Sequence, residues 1–139
     1  MGPDTQEIRF DGIHCNLAIE RLANRVVLVR ISGTDIGEFG DAPMRALDDW
    51  LNGSSPVHFF IDARDVRGAS IEVSGDWANW LSARKPVLES VTMLTGSRFI
   101  QITAEFVRRF ASLEGSMWIC NDALVFEHAL LGATQQHRA

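Results

Sequence analysis

The chain of 139 residues carries 13 basic and 18 acidic side chains, for a formal net charge of −5. That length fits one ordinary domain, and 46% apolar against 22% charged residues excludes disorder as its main description. The acidic balance argues against nucleic acid as a partner, because neutralising phosphates takes a surplus of Lys and Arg.

Residues 1–6 are polar and expected to fray. Residues 7–10 and 15–22 alternate in polarity around Asp11-Gly12, a turn signal. The β-branched run 25–31 (RVVLVRI) follows a turn at Ala23-Asn24, so a meander of two or three strands opens the chain. Asp41 is a candidate N-cap, and Pro43 suits a first helical turn, where its missing N–H costs nothing. Met44, Leu47, Trp50 and Leu51 then recur at helical spacing, with Gly53 as the stop. Residues 57–61 (VHFFI) read as a strand buried on both faces. A second helix is expected from about Ile71 to Arg84, with Trp77, Trp80 and Leu81 on one side and Pro86 at its end.

Residues 91–94 form the next buried strand. The third helix has the clearest period, since Phe99, Ile102, Thr103, Phe106 and Phe110 fall at i, i+3, i+4, i+7 and i+11. That pattern predicts an apolar stripe packed on the core. Residues 117–120 (MWIC) make a last strand. Asp122 then caps a final helix whose buried face holds Phe126, Ala129 and Leu130, with Gly132 beyond it and a loose tail from Ala133.

Strand–helix alternation with short connections implies parallel strands joined by right-handed crossovers, with helices covering the sheet. The expected architecture is one α/β domain over residues 1–139. It has a mixed sheet of about four to six strands, about four helices, and flexible tails at 1–6 and 133–139. No signal peptide, myristoylation pattern or apolar run long enough to cross a membrane stands out. Cys15 and Cys120 form no C-x-x-C pair and read as buried thiols of a reducing compartment, so a soluble cytoplasmic domain is expected.

In such sheets, ligand chemistry gathers where strand carboxyl ends meet helix N-termini. Four segments qualify as loops there: Ser32-Gly33-Thr34, Asp62 to Ser70, Thr95-Gly96-Ser97-Arg98 and Asn121-Asp122. They would gather Asp62, Arg64, Asp65, Arg67, Ser70, Thr95, Ser97 and Arg98 at one edge.

The order of elements from about Cys15 to Leu131, with the phrase VHFFIDARDV as a central strand ending in Asp, resembles the STAS domain of anti-sigma factor antagonists. The resemblance implies a bacterial signalling module that works by docking a protein partner, a kinase or another signalling component. In that family a Ser at the start of the helix after the central strand is phosphorylated, and the added charge disrupts docking. Here the Asp-Ser-Ser-Gly pattern is replaced by Gly68-Ala69-Ser70-Ile71, so the acceptor motif is broken. Ser70 and Ser74 are the nearby hydroxyls, and a helix N-cap is the favoured reading for one of them. The implied docking surface comprises Arg64, Arg67, Ser70, Glu72, Ser74, Asp76 and Trp77. Aromatics at helical spacing are usually core, whereas an exposed Trp would be a binding anchor.

Thr95, Gly96, Ser97 and Arg98 combine free N–H groups, two hydroxyls and a guanidinium, a candidate anion site weighed against a plain capped turn. Gly33, Gly37 and Gly40 lack the G-x-G of a dinucleotide site, and no P-loop is present, so no nucleotide cofactor is expected. His14, Cys15, Cys120 and His128 share no ligand spacing, so no metal is expected either. The carboxylate pair Asp62 and Asp65 sits beside Arg64 and Arg67, which favours ion pairing over acid–base work. The sequence therefore reads as a non-enzymatic docking module. The alternative is a sensor holding an anionic or lipid-like ligand at the strand ends, and homodimerisation stays open.

Overall fold

The computed structural model describes residues 6–51 and 56–136. In chain order it holds β1 (Gln6–Asp11), β2 (Cys15–Ala23), β3 (Val26–Asp35), α1 (Ala42–Leu51), β4 (Val57–Ala69), α2 (Ile71–Arg84), β5 (Leu88–Thr95), α3 (Arg98–Phe110), β6 (Met117–Cys120) and α4 (Ala123–Gln136). A short 3₁₀ turn, Lys85–Val87, joins α2 to β5. The strands form one six-stranded sheet in sequence order from β1 to β6. The first three pair antiparallel, and β3 to β6 run parallel. This is the mixed α/β sheet expected from the alternation.

The order dictates where the helices go. Parallel strands laid down without a reversal, each joined by a right-handed crossover, put every crossover helix on the same face. The packing agrees. Leu47 and Leu51 of α1, Trp80 and Leu81 of α2, and Ile100 and Val107 of α3 share one core with Val27, Val29, Phe59, Ile61 and Val91 of the sheet. Successive strand residues point to opposite faces, so Phe60 turns away from Phe59. On that second face it joins Val26, Leu28, Leu94 and Phe126 of α4 in a smaller cluster. Phe126 meets Phe60 edge to face, with ring centroids 5.8 Å apart. The monotonic order also means that no topological switch point opens a crevice at the strand ends.

Several sequence expectations are corrected. The segments Ser32-Gly33-Thr34 and Asp62 to Ala69 are strand, not loop. β3 and β4 stay paired through Ser32–Asp65, Gly33–Val66, Thr34–Gly68 and Asp35–Ala69, past two register shifts. The charges that suggested a loop are the outward residues of a strand whose Ala63 and Val66 point inward. The apolar stripe of α3 faces solvent: Phe99, Ile102, Phe106 and Phe110 are 52–62% exposed, while Ile100, Ala104 and Val107 are buried. Sheet contact there goes to the side with small Ala104, which lets the helix approach closely.

On α4, Ala129 is exposed and only Phe126 is fully buried, with Leu130 partly covered. That helix also runs through Gly132 to Gln136, where Thr134 donates its hydroxyl to the Leu130 carbonyl at 2.8 Å, so no loose tail begins at Ala133. At the other end Gln6 belongs to β1. The helix stop expected at Gly53 lies outside the described residues.

Candidate functional site

The β4–α2 junction carries the implied docking surface. Ser70 caps α2: its hydroxyl accepts a hydrogen bond from the Val73 N–H at 3.1 Å. Its own N–H donates to the Asp35 carbonyl at 2.9 Å, which fastens the helix start to the end of β3. Of Ser70 and Ser74, between which the sequence left the cap open, it is Ser70 that caps the helix. Ser74, one turn on, is 8% exposed. Trp80 is buried against Phe59 (ring centroids 5.5 Å apart), and half-buried Trp77 stands edge-on to it at 5.9 Å.

The Trp80 indole N–H donates to Asp48 Oδ1 at 3.0 Å. Arg84 donates to both Asp48 oxygens at 2.7 and 2.6 Å, so one carboxylate of α1 clamps two side chains of α2. That pairing raises the Arg84 pKa: its hydrogen bond to Asp48 is the main cause, partly offset by desolvation. These aromatics serve the core.

Arg67, Ile71, Glu72 and Asp76 are exposed around the start of α2, with Ile71 at 89%. Arg64 is not among them. It lies on the α4 face, where its guanidinium donates to Asp62 at 3.0 Å and to Glu127 of α4 at 2.8 Å. Hydrogen bonds to Asp62 and then to Glu127 hold its pKa above the ordinary arginine value. The docking residues read from sequence thus divide between two faces. Ile71, the most exposed apolar side chain at the junction, had no signal in the sequence beyond its place after a cap.

The Thr95–Arg98 segment is a capped turn. Ser97 accepts from the Ile100 N–H at 3.2 Å, and buried Thr95 donates its hydroxyl to the Cys120 carbonyl at 3.4 Å. Gly96 lies against the backbone of Arg64, where an added Cβ would stand 2.0 Å from the carbonyl oxygen. Both hydroxyls are engaged, and the depression outside the turn is lined by Glu105 as well as Arg98. Its chemistry therefore offers an anion one guanidinium and one repelling carboxylate.

Among the described residues, no three His, Cys, Asp or Glu side chains gather as a metal site. No described helix is long and apolar enough to cross a membrane. Cys15 is buried, and burial, aided by the charges of Asp35 and Glu38, pushes its thiol up to about 11. Burial also raises the Cys120 thiol, although a backbone N–H from Asp122 works against it. Neither sulfur is an activated nucleophile. An apolar cavity of about 80 Å³ lies between the sheet and helices α2 and α3. It is walled by Val29, Ile61, Ala63, Leu81, Val107 and Met117, with Asp35, Ser74 and Thr103 as its polar groups. Nothing in the sequence marked it.

No family model and no curated protein matches the sequence. The solved structure of an uncharacterised Shewanella loihica protein of the DUF3478 family, described as having a SpoIIAA-like fold, does match in shape. The likeness covers 87% of this chain and 98% of that one, with a TM-score of 0.63 at 16% identity. The fold is SpoIIAA-like. That places the chain in the same STAS-type architecture that the element order and VHFFIDARDV resembled.

Proposed function

We propose that this SpoIIAA-like domain is a non-enzymatic regulatory module that docks a protein partner through the start of α2. The observation that carries the reading is the exposed cluster Arg67, Ile71, Glu72 and Asp76 beside the Ser70 cap. A large aliphatic side chain left 89% open within a ring of charges has the composition of an interface anchor with a polar rim. Burial raises both thiols rather than activating them. Phosphate on Ser70 would remove the cap hydroxyl and set about two negative charges beside Glu72 and Asp76, weakening docking by repulsion. Ser74, being buried, would require the helix to open first.

The test is a pull-down with the tagged full chain as bait, run in parallel with Ile71→Glu and with Glu72→Lys/Asp76→Lys, read by mass spectrometry. A signalling protein recovered by the native chain and lost by both variants supports docking. Equal recovery by all three baits overturns it.

The cavity supports a second reading, a sensor for a small apolar ligand. Its volume ranks it second. About 80 Å³ is roughly half the space of an engineered cavity that holds benzene, so an acyl chain would need α2 and α3 to part. A thermal-shift series against fatty acids tests this, and no shift at ligand concentrations near 1 mM counts against it.

A further inference from the structure

The strongest unexplained feature is the outward stripe of α3. Phe99, Ile102, Phe106 and Phe110 lie within an arc of about 80° at 100° per residue, and the rings of Phe106 and Phe110 are in contact at 5.8 Å between centroids. Taking roughly 200 Å² for each whole side chain, their 52–62% exposure leaves on the order of 400 Å² of continuous apolar surface on one helix. A stable interface takes about 800 Å² from each partner, a little over half of it apolar, so this stripe supplies nearly the whole apolar share from each side.

We infer that α3 is the interface of a homodimer, with two copies of the helix packed antiparallel about a two-fold axis. The charges beside the stripe single out a second copy as occupant. Glu105 and Arg109 follow each other by one turn along the same flank, and the Glu105 carboxylate accepts a hydrogen bond from the Gln101 amide at 3.4 Å. In a two-fold antiparallel pair, a flank faces itself with its order reversed, so residue i meets j and j meets i. With the axis near Val107, Glu105 faces the partner's Arg109 and Arg109 faces the partner's Glu105. The same register seats Phe106 between the partner's Phe106 and the partner's Phe110. The outward face of α2 with Glu72 and Asp76 stays open, so this inference does not rest on the docking proposal.

The experiment is sedimentation velocity on the full chain across a concentration series, with circular dichroism to confirm that each variant folds. The native chain is expected to dimerise. Phe106→Glu is expected to be a folded monomer. Glu105→Arg is expected to weaken association at least about tenfold, because it sets like charges across both reciprocal pairs. The double swap Glu105→Arg/Arg109→Glu is expected to recover most of that loss, a result no merely structural role of these residues would produce. A chain that stays monomeric throughout overturns the inference, and so does a dimer that Phe106→Glu leaves intact. Failure of the double swap to recover association overturns the antiparallel register. A monomer that instead co-sediments with phosphatidylglycerol vesicles, and loses this with Phe106→Glu, assigns the stripe to a lipid surface.

Discussion

Replacing Gly96 by alanine tests whether the turn before α3 is shaped by packing rather than by a ligand. A Cβ at this position would stand 2.0 Å from the Arg64 carbonyl oxygen and 2.9 Å from its carbon, whereas ordinary contact begins near 3.4 Å. The backbone of one segment or the other must therefore retreat by more than an ångström. Little can yield. Arg64 sits inside β4, and its side chain is tied to Asp62 and Glu127. Thr95, the residue before Gly96, is buried in β5. Overpacking of this kind costs about 3 kcal/mol, which for a domain of this size is a fall in Tm of roughly 10 °C.

The internal control is Gly75, inside α2, where an added Cβ meets nothing within 4 Å. There Ala should stabilise by up to about 1 kcal/mol, because glycine is the costlier residue in a helix interior. Urea unfolding of both variants reads the signs directly. A Gly96→Ala protein within about 0.5 kcal/mol of the native chain would refute the packing account and return this glycine to the ligand-site reading.

Three further outcomes follow from other sites. Phe126→Ala should cost about 3–5 kcal/mol in urea unfolding, because Phe126 is the fully buried side chain of α4 and its loss opens the smaller cluster; a cost under about 1 kcal/mol would mean that α4 is held by something else. Glu38 accepts hydrogen bonds from the Ile13 and His14 N–H groups, both at 2.9 Å. Desolvation works against its charge, but the N–H groups of His14, Ile13 and Cys15 outweigh it and hold the carboxyl below its usual 4.5. The charged form is then the one the fold favours, so this contribution is present above about pH 4.5 and fades as pH falls through the lowered value. The Tm gap between native protein and Glu38→Gln should accordingly narrow on acidification below pH 4.5, and a constant gap would contradict the latch. Cys15, with its thiol near 11, should react with iodoacetamide at pH 8 at least about tenfold more slowly in the native chain than in urea, as followed by mass spectrometry.

Local chemistry was the legible part of this chain. Asp122 was readable as a helix start, a cap at Ser70 or Ser74 was expected, and a capped turn was weighed at 95–98, because a cap needs only a hydroxyl or carboxylate and the next turn's N–H groups; Ser70, Ser97 and Asp122 accept those bonds. The strands at VHFFI and MWIC were readable as short, largely apolar runs, although only the first is central and MWIC is an edge strand with Trp118 75% exposed. The site was less legible. Arg64 stands in a stretch that reads as a charged loop, yet β4 continues through it past two register shifts and Arg64 reaches Glu127 on the α4 face, away from Glu72 and Asp76 of α2. One continuous docking patch on paper became two in space for that reason.

By itself, the order of strands and helices determined a mixed α/β sheet covered by right-handed crossover helices; that three of them share a face follows from the strand order, which only the tertiary structure shows. Tertiary structure alone decided which side of α3 meets the sheet. Hydrophobic periodicity reports where apolar side chains cluster on a helix, and it is silent about where the sheet lies. The sheet side went to Ile100, Ala104 and Val107. The large stripe of Phe99, Ile102, Phe106 and Phe110 was left outward, available to a second molecule. The cavity under α2 and α3 has the same origin. It exists only because helices packed on a twisted sheet leave space between them, and no residue's identity records that space.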